Sequence, residues 1–130
     1  MDLLKRNIAS NFTTLQNIEI KELFWGNPLD EEIQKIKFDL ILGADIVYEI
    51  QHFDLLITTL KDLTTHNPKM DSTNHQTTIL LAMEHRWKDV ENYFFSDLEK
   101  NGFKTEIIPQ EQLHRIYRHP KIDVYRIQRK

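Results

Sequence analysis

At 130 residues, with 40% hydrophobic and 28% charged side chains, the chain has the make-up of one soluble globular unit with a core of its own, a single domain or part of one. A formal net charge of -3 excludes a uniformly basic surface of the kind that binds nucleic acid without regard to sequence, and no apolar run approaches the ~20 residues that cross a bilayer. The absence of cysteine excludes disulfides and thiolate metal sites and fits a reducing, cytoplasmic setting.

In chain order, Leu3, Leu4 and Ile8 fall on one face of a helix over Asp2 to Asn11. Ile18 to Trp25 alternates apolar and polar residues, with Ile18, Ile20 and Leu23 on one side, which predicts a half-buried or edge strand. Gly26, Asn27 and Pro28 stop it, and Asp30 to Lys37 reads as a charged helical turn or loop. Leu40, Ile41 and Leu42 form an apolar run without alternation, the pattern of a central parallel strand covered on both faces, here Phe38 to Gly43. Gly43 and Ala44 then remove side-chain bulk where the strand ends, and Asp45 and Tyr48 follow. In open α/β sheets such an end binds ligands. The alternative is that Asp45 caps the next helix and Tyr48 packs against the sheet edge.

Phe53, Leu56, Ile57, Leu60 and Leu63 recur at helical spacing and predict an amphipathic crossover helix over Phe53 to Leu63. Thr64 to Gln76 reads as an exposed loop, whose His66 and His75 lack the spaced partners of a metal site. Thr77 to Met83 is a second continuous apolar run, hence a second buried parallel strand, ending in Glu84-His85-Arg86. A strand-helix-strand unit with a right-handed connection puts both polar ends on one edge, where Glu84 and His85 either stand near a site or are simply solvated. Val90, Tyr93, Phe94 and Leu98 line one side of a further helix ended by Asn101-Gly102. Phe103 to Ile108 and Ile122 to Ile127 are two last strands, suited to antiparallel pairing. Arg115, Arg118, His119, Lys121, Arg126, Arg129 and Lys130 make this tail basic, either to hold an acidic partner surface or to guard an edge strand.

Four features in order, Asn7 with Asn11, Trp25-Gly26, Ala44-Asp45-Ile46-Val47-Tyr48 and the tyrosine-bearing last strand, resemble the seven-β-strand protein lysine methyltransferases of the methyltransferase-like 21 group. The resemblance implies one partial domain over residues 1–130: an α/β, Rossmann-like class I methyltransferase sheet entered at its third strand and closed by an antiparallel hairpin. The first two strands and the Gly-rich cofactor loop would precede Met1, since Gly26, Gly43 and Gly102 form no loop motif. It also implies S-adenosylmethionine as cofactor and a protein substrate of the chaperone or ATPase kind. Trp25 would lie beside the adenine, either in that role or as a core aromatic, with Gly26 and Ala44 also at the cofactor. Asp45 would orient the incoming ammonium and Tyr48 would hold the amine, with Ile46 and Val47 as apolar surroundings. The strand order of that group leaves Ile18 to Trp25 without a neighbour and Phe38 to Gly43 with only one, an exposed edge. Two other readings stand beside it: a non-catalytic fragment that binds a partner without cofactor, and a receiver-like protein phosphorylated on Asp45, for which the acidic pair and downstream lysine of a magnesium site are not evident.

Overall fold

The computed structural model describes residues 2–12, 17–65 and 76–130. Its elements are helix α1 (Asp2–Asn11), the single turn α2 (Glu31–Gln34), strand β1 (Leu40–Ala44), helix α3 (Phe53–Thr64), strand β2 (Thr78–Glu84), helix α4 (Lys88–Lys100), and strands β3 (Phe103–Ile107) and β4 (Ile122–Arg129). The sheet order is β1-β2-β4-β3, with β1 and β2 parallel and β4 antiparallel to both of its neighbours. This is the mixed α/β sheet with a terminal antiparallel pair that the sequence predicts.

Packing follows from the period of each element. In β2 the alternate residues Ile79, Leu81 and Met83 are each 2% exposed and face the helices, while Leu80 and Ala82 point the other way. Phe53, Leu56, Ile57 and Leu60 of α3 and Phe94 and Leu98 of α4 meet them, with Phe103, Tyr125 and Ile127 from the antiparallel pair. Phe94 stands edge-on to Phe53, with ring centroids 5.1 Å apart. Both long helices that build this core therefore lie on one face of the sheet. Asn101 closes α4 through its backbone N–H to Asp97 and Leu98 carbonyls, and Gly102 takes the positive φ of 84° that ends the helix.

Four expectations need correction. Residues 18–25 form no strand: among the described residues no sheet strand lies beside them, as the strand order of the resembled group implies, and Leu23 and Phe24 stay exposed while Trp25 packs on the core. β1 is covered on one face and not on both, because both long helices lie on the same side, so Leu40 and Leu42 are exposed while Ile41 packs inward; its single sheet neighbour among the described residues, β2, is the exposed edge that the strand order of the resembled group implies. Tyr93 sits at the rim of the α4 contact, half exposed and stacked on Phe53, rather than in it. The amphipathic reading of α1 finds no buried residue in the helix. His66 and His75 lie outside the described residues. Among the described residues no helix is long and apolar enough to cross a membrane.

Candidate active site

Because β1 and β2 are parallel, their carboxyl ends share one edge, and the Asp45 N–H donates to the Ala82 carbonyl at 2.9 Å to hold them level. β4 enters the sheet at the same edge: Ile122 is opposite Glu84, and the His85 N–H donates to the Lys121 carbonyl at 3.1 Å. Residues 45–49, 84–87 and 108–121 are thus brought to one rim by topology alone.

Asp45 turns out of β1 in the left-handed region, φ 55°, which Asp tolerates better than most residues because its short side chain serves the local backbone. Gly43 makes the turn possible. A Cβ there would lie 2.8 Å from Ile46 Cδ1 and 3.2 Å from Leu81 Cδ1, so its absence lets Ile46 fold back onto the core as Asp45 points outward. Ile46 and Val47 both pack against the hydrophobic cluster, so they support the turn from beneath and do not line the rim. Asp45 caps no helix; the next helical turn starts at Ile50, with Glu49 before it. Its carboxylate instead accepts from Arg86 Nη2 at 2.8 Å, and the same guanidinium nitrogen donates to Glu84 at 3.1 Å. Tyr48 is half exposed, on the solvent side of this turn.

A second charged cluster braces Arg86. His85 bridges two carboxylates, Glu91 of α4 through Nδ1 at 2.6 Å and Asp123 of β4 through Nε2 at 2.8 Å. The other oxygen of Glu91 accepts the backbone N–H groups of Arg86 at 2.9 Å and Trp87 at 3.3 Å, so Glu91 satisfies donors at the start of α4 where the N-cap Trp87 has no side-chain acceptor. The hydrogen bonds to Glu91 and then to Asp123 raise the His85 pKa above its usual value. Burial pushes the Glu91 carboxyl upward, but the bonds from His85, Arg86 and Trp87 outweigh it and hold it low. Nothing in the sequence marks Glu91, since an acidic residue in the first turn of a helix is ordinary.

The remaining predicted residues occupy two separate places. Ala44 lines an open apolar depression on the uncovered sheet face with Leu42, Gly43, Leu80, Ala82 and Val124. Trp25, partly buried, lines another with Leu23, Phe24, His52 and Leu55. Gly26 holds a φ of 79° and donates its N–H to Thr59 Oγ1 at 2.9 Å; a Cβ would come within 2.5 Å of Leu55 Cδ2. It is a glycine because the Trp25 turn presses onto α3.

The profile of a family described as lysine methyltransferase matches residues 1–101. Among curated proteins the chain is similar to EEF1A lysine methyltransferase 3 of Xenopus tropicalis, 28% identical over 126 residues, covering 97% of this chain and 49% of that protein. It is similar to Protein-lysine N-methyltransferase EFM6 of Saccharomyces cerevisiae, 36% identical over 114 residues, covering 81% of this chain and 42% of that one. Protein N-lysine methyltransferase METTL21A of Mus musculus is 33% identical over 125 residues, covering 93% and 52%. The chain spans about half the length of the curated relatives it matches. With its α/β sheet and a family match over most of its length, the chain belongs to the lysine methyltransferase family.

Proposed function

We propose that the chain is part of an S-adenosylmethionine-dependent protein-lysine N-methyltransferase and that the acceptor amine is held at Asp45 and Tyr48. The observation that carries this is the outward-turned Asp45 at the carboxyl end of β1, paired with Arg86 from the end of β2, in a chain of this family. The cofactor supplies a methyl group already activated on a sulfonium. Trp25 and Ala44 are the residues here that would hold it, from two separate places: a partly exposed indole offers an apolar face and an N–H to a purine rim, and Ala44 keeps the end of β1 free of bulk. Gly26, whose N–H is engaged by Thr59, shapes the turn that presents Trp25.

With an activated donor, the work left to the protein is to bring a neutral amine into line and keep water away. The Asp45 carboxylate attracts and orients the lysine ammonium. An unshared carboxylate would also keep that lysine protonated, and Arg86 at 2.8 Å offsets the attraction by sharing the charge. The Tyr48 hydroxyl accepts an amine hydrogen, and its exposed ring face suits the cation before the proton is lost.

The separation of the Ala44 and Trp25 depressions favours a second reading, a partner-binding fragment that takes no cofactor. Incubating the intact protein with isotope-labelled S-adenosylmethionine and a cell lysate, then identifying the labelled residue by mass spectrometry, separates the two. Labelled methyl-lysine supports the enzyme; no label, together with no cofactor binding by calorimetry, supports the fragment.

A further inference from the structure

Residues 108–121, the connection from β3 to β4, display the two most exposed large hydrophobic side chains among the described residues, Ile116 at 77% and Tyr117 at 81%. Arg115 and Arg118 flank them. This display is built. The N–H groups of Tyr117 and Arg118 donate to the His114 carbonyl at 3.1 and 3.0 Å, and the His114 ring stacks on Tyr117 at 4.8 Å. Arg118 Nη1 donates to the Gln110 carbonyl at 3.3 Å, and Gln110 Nε2 donates to the Ile122 carbonyl at 2.9 Å, tying both ends of the connection together. An apolar pair held this way is already ordered before it meets a partner, which lowers the entropic cost of binding.

The rim of the sheet is divided in chemistry. Over β1 and β2 stand Asp45, Glu49 and Glu84 against Arg86, whereas residues 108–121 carry Arg115, Arg118 and Lys121 against Glu111. Neighbouring strands are ~4.8 Å apart, so β4 and β3 lie roughly 10–15 Å from β1 along this rim. An extended peptide advances ~3.3 Å per residue, so it covers that distance in roughly three to five residues.

We propose that the β3–β4 connection is a docking lip for the acceptor protein, and that it takes an acidic segment with one apolar side chain, placed roughly three to five residues from the lysine held at Asp45. Arg115 and Arg118 meet the carboxylates, and Ile116 and Tyr117 supply the desolvated contact that charged rim pairs alone do not. The spacing rests on the function proposed above; the preference for acidic, apolar sequence does not.

Fluorescence anisotropy with the intact protein and fluorescein-labelled synthetic peptides tests it. Each peptide has one lysine followed, roughly three to five residues on, by Leu among Asp and Glu, or by Leu among Arg. The acidic peptide should bind at least ~10-fold tighter, more so at low salt, and Tyr117→Ser or the Arg115→Ala, Arg118→Ala pair should each weaken it by roughly tenfold. Arg115→Ala alone, which leaves the Arg118–Gln110 bond and the His114–Tyr117 stack in place, should melt as the wild type and still weaken the acidic peptide, which separates lost recognition from lost loop order. Equal affinity for the two peptides, affinity untouched by the lip variants, or tighter capture of phosphatidylserine vesicles than of the acidic peptide would overturn the lip. If norleucine in place of the lysine leaves tight, Tyr117-dependent binding intact, the lip is supported and the amine site at Asp45 is what fails.

Discussion

On the face of the sheet that α3 and α4 cover, Phe94, Leu98, Phe103 and Ile127 are fully withdrawn from solvent, whereas on the opposite face Leu42 keeps 72% of its surface exposed. In β1 and β2 both faces are apolar, so composition does not separate them there, although β4 and β3 carry Arg126, Gln128 and Glu106 on the open face. Cover does: the helices bring aromatic and aliphatic partners to one side, and among the described residues nothing of that kind reaches Leu42, Leu80 and Ala82. The stability of the described fold is thus concentrated in one layer, and the charged rim with Asp45, Arg86 and His85 is anchored to that layer from below.

The largest effect should come from the covered face. Phe94→Ala removes a fully buried ring and should cost about 3–5 kcal/mol, a large part of the ~5–15 kcal/mol that a domain has. Leu42→Ala, on the open face, should cost under ~1 kcal/mol, since little of its surface is buried. Urea denaturation followed by circular dichroism measures both; comparable losses would mean that the open face is covered in solution.

Amide hydrogen exchange sharpens the contrast within β1. The Asp45 N–H points to β2, so by the strand period the N–H groups of Ile41 and Gly43 do too, while those of Leu42 and Ala44 face away from the sheet. The first set should exchange slowly and the second fast. Uniform protection would show a neighbour on the outer edge.

Much of this was legible in the residues. The spacing of Phe53, Leu56, Ile57 and Leu60 reports a helical period and Ile79 to Met83 a short continuous apolar run, and both are local signals. The one-sided cover of β1 was not, because Leu-Ile-Leu reads alike whether one or two faces are covered; its edge position came from the strand order of the resembled group and not from the run itself. Residues 18–25 show the limit most clearly: alternation marks a surface fit for a sheet, but strand formation needs a partner that local sequence does not contain. At the site, Gly43-Ala44 announced a close approach at the end of the strand, which Ile46 and Leu81 make; the outward turn at Asp45 was not announced. The Arg86 pairing, across 41 residues, and the Glu91-His85-Asp123 bridge depend on register between distant elements, which no local pattern records.

A smaller effect is expected from that bridge as pH changes. His85 is raised from 6.5, so its contribution is full below about 6.5 and fades as pH rises through the higher folded value. Glu91 is lowered from 4.5, so its contribution is present above about 4.5 and fades as pH falls through the lower folded value. The bridge should therefore help most between about 4.5 and 6.5. His85→Gln should lower the melting temperature by a few degrees in that window and by less at alkaline pH; a deficit that does not change with pH would mean that His85 contributes packing alone.

The most direct test is of Asp45. Alanine would confound it, because a residue at φ 55° is strained when its side chain has no polar group to serve the turn; asparagine keeps the conformation and removes the charge. In the intact protein, with labelled S-adenosylmethionine and lysate, Asp45→Asn should lower methyl-lysine formation by at least ~10²-fold at an unchanged melting temperature, and Tyr48→Phe should lower it less. Normal methyl-lysine yield from Asp45→Asn would contradict the account and leave Asp45 a residue of the turn.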